Sequence, residues 1–109
     1  MASIVSERYA LSLYEVAKEC GQAEHFCEEL AQVAGVFSDY PEYLKLLTTP
    51  SIPLPEKQET LRQVFGGKTH DYVLNFLLLL IEKRRIGLIS EICKAYRDQY
   101  YFEEGIAEV

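Results

Sequence analysis

The sequence predicts an all-α protein, a six-helix bundle folded as a single domain, and three observations carry that prediction. Apolar residues recur at spacings of three and four through successive stretches, and alternation appears only in the last few residues. Connectors holding Gly or Pro separate these stretches. The chain has 109 residues, 49% hydrophobic and 26% charged, an ordinary globular composition with length enough for one core.

The first helix opens at Ser3 or Ser6, either of which can cap it, and Gly21 closes it. Ala10, Leu13, Tyr14 and Ala17 form one stripe, and Val5, Tyr9, Ser12 and Val16 form a second beside it. A second helix, about Glu24 to Phe37, turns Phe26, Leu30, Val33 and Phe37 inward and leaves Glu24, Glu28, Glu29 and Gln32 elsewhere. Tyr40 before Pro41 breaks it, because a residue preceding proline is pushed out of the α region. The third helix, Pro41 to Thr48, carries Tyr43, Leu44 and Leu47. The segment TTPSIPLP, Thr48 to Pro55, is then an extended connector whose Ile52 and Leu54 are expected to pin it to the core.

Pro55 starts the fourth helix, which holds Leu61, Val64 and Phe65 and ends at Gly66-Gly67. Thr69 is the expected cap of the fifth, DYVLNFLLLLIEKRR, which ends near Arg84 or Arg85 before a turn at Gly87. Its core stripe is Val73, Phe76, Leu77, Leu80 and Ile81, yet Leu78 and Leu79 lie opposite, between Asn75 and Glu82. The sixth helix, about Leu88 to Glu103, presents Ile89, Ile92, Cys93, Tyr96 and Tyr100 on one face.

The first and fifth helices therefore carry more apolar surface than one packing contact uses. Either both are central in the bundle, or they bound a groove lined by Val5, Tyr9, Ser12 and Val16 on one side and by Asn75, Leu78, Leu79 and Glu82 on the other. Such a groove suits an amphipathic helix from a partner. Other functions find little support. An all-α RNA-binding domain or another helical adaptor is the alternative, and the net charge of −6, with basic residues scattered apart from Lys83, Arg84 and Arg85, argues against RNA binding.

Cys20, His25 and Cys27 have metal-ligand side chains, but a C-x4-H-x-C arrangement without a second pair is not a zinc site, so no metal or other cofactor is expected. Three cysteines without framework spacing read as reduced thiols. His70 reads as a solvated loop residue, and no catalytic motif is present. MASIVSERYA lacks the pattern of a secretory or transit segment. The longest apolar run, Phe76 to Ile81, is far short of the roughly 20 residues that span a bilayer.

Arg8 to Glu19, RYALSLYEVAKE, and Asn75 to Ile92, NFLLLLIEKRRIGLISEI, resemble the δ subunit of F-type ATP synthases, called OSCP in mitochondria. The resemblance extends to Pro41–Leu47, the Pro-rich connector, Val64-Phe65-Gly66 and the closing helix with Tyr96. It implies a non-catalytic stator module of the peripheral stalk whose first and fifth helices grip the amino-terminal helix of an α subunit. Carried over position by position, the binding residues are Tyr9 and Ser12 with Asn75, Leu78, Leu79 and Glu82, while Ala10, Leu13, Tyr14 and Ala17 face the core.

It also implies a peripheral location on the cytoplasmic side of a bacterial inner membrane, without membrane insertion or nucleic-acid binding. There are two departures. Arg84 stands where the family often has glycine, and family members are longer, with a second domain that engages the b subunits. The expectation is thus a six-helix domain over residues 1–104, with 105–109 starting the linker to a domain that this shortened chain lacks.

Overall fold

A computed structural model describes residues 3–105. Six α-helices follow one another: α1 (Ile4–Glu19), α2 (Ala23–Asp39), α3 (Pro41–Thr48), α4 (Leu54–Phe65), α5 (Asp71–Glu82) and α6 (Ile89–Glu104), the last preceded by a 3-10 turn, Ile86–Leu88. No strand occurs among the described residues. The helices group into two compact units. One holds the described residues up to Ala34 and from Leu88 onward, and the other is Gly35–Gly87, so the division falls within α2.

In the first unit, Ser3 caps α1, its hydroxyl accepting the Ser6 backbone N–H at 3.1 Å. Ala10, Leu13, Tyr14 and Ala17 are buried, the stripe that periodicity assigns to the core. From α6, Ile89, Ile92, Cys93 and Tyr96 are buried. The Tyr14 and Tyr96 rings meet edge-on at 5.6 Å, and the Tyr96 hydroxyl donates to the Ala23 carbonyl at 2.8 Å, tying α6 to the start of α2.

Near its start α1 is joined to α6 through Glu91. The Ser3 backbone N–H donates to Glu91 Oε1 at 2.9 Å and the Ser6 hydroxyl donates to the same oxygen at 3.2 Å. The Ser3 backbone donor, joined by the two serine hydroxyls and opposed by partial burial, holds this carboxyl below its usual 4.5. Because the folded value lies below the unfolded one, the stabilisation is complete above 4.5 and is lost as pH falls through the lowered value. Glu91→Gln should therefore weaken the fold at neutral pH, and the gap from the parent should close in acid. Urea unfolding of both proteins at neutral pH and below 4.5 measures it.

Glu29 departs from expectation. It is 5% exposed rather than solvated, and its carboxylate pairs with His25 Nε2 one turn earlier. An i, i+4 partner supplies the polar contact that lets a carboxylate lie on the margin of a packed face.

In the second unit, α3 has the bounds expected from Pro41 and Thr48. Phe37, from the end of α2, stacks on Tyr43 at 5.5 Å and tilts against Phe65 of α4 at 6.0 Å. The expectation that Ile52 and Leu54 pin the connector to the core is not met, since Ile52 is half-buried and Leu54 is 37% exposed. Leu54 is the first residue of α4, one position earlier than Pro55, and a side chain there has no preceding turn to cover. Gly66 closes α4, its N–H donating to the Arg62 carbonyl at 2.7 Å, and a Cβ at this position would lie 2.3 Å from that oxygen.

The five expected core residues of α5, Val73, Phe76, Leu77, Leu80 and Ile81, are all buried. Its cap is His70 and not Thr69. His70 Nδ1 accepts the Tyr72 N–H at 3.1 Å, whereas the Thr69 hydroxyl turns back to the Phe65 carbonyl at 3.2 Å. The imidazole thus takes the part usually played by a short oxygen side chain.

α5 ends at Glu82, before the expected Arg84 or Arg85, in a Schellman reversal: Arg85 N–H donates to the Leu80 carbonyl at 2.7 Å and Arg84 N–H to the Ile81 carbonyl at 3.0 Å. Arg84 consequently adopts φ +60°, where a Cβ is unfavourable and glycine is usual. Arg84→Gly should raise stability by about 1 kcal/mol, read as a higher denaturation midpoint. Gly105 at φ +68° closes α6, and Ile106 to Val109, where a linker was expected to begin, lie outside the described residues.

Candidate partner-binding surface

With one stripe of α1 and one of α5 packed inside, the opposite stripes can be read by their exposure. On α1, in the first unit, Val5 and Tyr9 are half-buried while Ser12 and Val16 are exposed. Ile4 and Leu11 are exposed on the same helix, which adds apolar surface beyond the sequence-derived set.

On α5, in the second unit, Asn75, Leu79 and Glu82 are exposed and Leu78 is half-buried. Leu79 keeps 40% of its surface accessible, whereas Leu80 beside it has 0%. Ser12, Val16, Asn75, Leu79 and Glu82 are therefore exposed and Val5, Tyr9 and Leu78 only in part, and the purely internal reading of Leu79 and Val16 does not hold. Tyr72, half exposed, belongs to the same α5 face and was missed by sequence reasoning. The positions 72, 75, 79 and 82 continue the three-and-four spacing, so carrying the pattern one step back towards the helix start would have found it. Its ring stacks on capping His70 at 5.4 Å, which orients it.

The exposed stripe of α5 is thus aliphatic and aromatic, interrupted by one amide and one carboxylate. The three cysteines and His25 belong to the first unit, and His70 is held as the cap of α5. Cys20 is exposed and its thiol donates to the Val16 carbonyl at 2.9 Å, and His25 is engaged by Glu29. Burial, with Cys27 nearby, pushes the Cys93 thiol up to about 12, which keeps it protonated and unreactive. Among the described residues no three His, Cys, Asp or Glu side chains are grouped to share a metal ion.

Residues 5–109 match the family described as ATP synthase delta (OSCP) subunit. The chain belongs to that family. Among its relatives, ATP synthase subunit delta of Halalkalibacterium halodurans is 39% identical over 104 residues, a match covering 95% of this chain and 57% of the relative. The corresponding subunit of Gloeobacter violaceus is 36% identical over 94 residues, covering 85% of this chain and 51% of the relative. That of Clostridium kluyveri is 36% identical over 104 residues, covering 92% and 58%. This member of the delta (OSCP) family thus spans little more than half the length of the curated relatives it matches. None of its described helices is long and apolar enough to cross a membrane.

Proposed function

We propose that this chain is the α-subunit-binding part of an ATP synthase delta subunit, a non-catalytic stator element of the peripheral stalk. In this reading Val5, Tyr9, Ser12 and Val16 of α1 and Asn75, Leu78, Leu79 and Glu82 of α5, joined by Tyr72, receive the amino-terminal helix of an α subunit. The supporting observation is the doubled character of α5 in a member of this family: its inner stripe is complete without Leu79, yet Leu79 and Tyr72 stand exposed on the other side. Apolar side chains left out of a finished core gain most from burial against a partner.

The mechanism is mechanical. Rotation of a central shaft exerts torque on the catalytic head, and the head must be held still if the torque is to drive synthesis. The domain therefore needs a contact that persists under load, largely apolar and insensitive to salt, with Glu82 adding an exposed electrostatic part that salt weakens. The b subunits would engage the additional length found in the relatives, and the assembly would lie at the cytoplasmic face of a bacterial inner membrane.

Titration calorimetry with a synthetic peptide of the amino-terminal helix of the cognate α subunit tests this reading. Saturable one-to-one binding with a negative heat-capacity change is expected, the signature of apolar burial. Absence of binding by the folded chain would overturn it.

A further inference from the structure

The unit Gly35–Gly87 contains a cavity of about 300 Å³ between the end of α3, the Pro-rich connector, the start of α4 and the end of α5. Leu47, Ile52, Ile81 and Ile86 give it apolar walls, and Lys57, Glu82 and Arg84 also line it. The volume is at the lower end of ligand pockets, room for one or two side chains of a docked segment. Neither Lys57 nor Arg84 forms an ion pair among the described residues.

Two features connect this cavity with a partner. Glu82 belongs both to its lining and to the exposed α5 stripe of Tyr72, Asn75 and Leu79, so a helix lying along that stripe runs towards the cavity. Arg84 reaches it from a left-handed backbone position that glycine would occupy without strain. An arginine kept at such a position is favoured where its side chain does something that glycine cannot. In a chain of net charge −6, the lining of this cavity is locally positive, because Lys57 and Arg84 outnumber Glu82, and that local charge favours an acidic ligand at this point.

We propose that the cavity is a socket for one end of the α-subunit helix, taking an aliphatic side chain while Lys57 and Arg84 pair with a neighbouring acidic side chain. The proposal rests on the function proposed above and deepens it: the socket would set where along α5 the partner helix stops, because only a neighbouring aliphatic and acidic pair satisfies walls and cations together. Apolar contact along the stripe contributes affinity, and the charged contact contributes register.

The test uses the whole 109-residue chain and the same peptide, comparing the parent with Leu79→Arg and with the double variant Lys57→Gln/Arg84→Gly. The double variant should bind about tenfold more weakly, with affinity less dependent on salt. Its denaturation midpoint should not fall, because glycine relieves the backbone at position 84, so a binding loss cannot be put down to unfolding. Replacing the peptide's acidic residues by amides one at a time should reproduce the loss at one position and cost nothing further in the double variant. Unchanged affinity in the double variant, with Leu79→Arg inactive, would overturn the socket and leave the stripe reading intact. No peptide binding by the parent would overturn both. Octanoate binding that the double variant loses, with peptide affinity unchanged, would assign the cavity to a small amphiphilic carboxylate instead and equally overturn the socket.

Discussion

Leu79→Arg is expected to abolish binding of the α-subunit helix while the fold survives. Leu79 is 40% exposed, so an arginine there can extend into water, and arginine is as good a helix former as leucine. The effect on stability should stay within about 0.5 kcal/mol. In the complex the same side chain would carry a guanidinium into an apolar contact, where Glu82 three residues on offsets the desolvation only in part, a cost of several kcal/mol. Affinity should fall by at least about a hundredfold, as when a central apolar contact is lost. Calorimetry with the peptide reads the loss, and circular dichroism reads the fold. A large loss of helicity would show that Leu79 is structural and remove the binding assignment.

Leu80→Ala is the counterpart, with its effect on stability. Leu80 has 0% exposure, and truncating a fully buried leucine costs about 2–5 kcal/mol through lost transfer energy and the cavity left behind. For a domain with about 5–15 kcal/mol in total, that is a large part of what holds it folded. Leu79→Ala, one residue away, should stay within about 1 kcal/mol. Urea denaturation of the pair tests the orientation of α5 directly. Equal losses would mean that its outward stripe is packed like its inward one.

Much of this was legible in advance because helix geometry is local. Spacings of three and four fix the angle at which each side chain leaves the axis, so the inward apolar residues of α1 and α5, and Phe26, Leu30, Val33 and Phe37 of α2, could be named from periodicity and are all buried. Proline chemistry placed the start of α3 for the same local reason. The outward residues of the candidate surface followed as the remainder of that pattern. Tyr72 escaped because it sits in the first turn, where the stripe had not yet repeated.

What periodicity could not supply depends on where the chain arrives after folding. Thr69 and His70 are both able to cap α5, and the way in which the chain leaves α4 sends the threonine hydroxyl back to Phe65 and leaves the imidazole to accept from Tyr72. Glu29 is buried through a side-chain pair that spacing permits but does not require. Arg84 takes a left-handed conformation because the end of α5 closes a Schellman reversal, even though its side chain opposes that conformation. The cavity beside Lys57 and Arg84 gathers residues from three helices and a connector, none adjacent in a pattern that sequence displays. A residue's angle on its own helix is set by the few neighbours along the chain, whereas caps, buried charges and cavities are set by contacts between segments, and those exist only once the helices have packed.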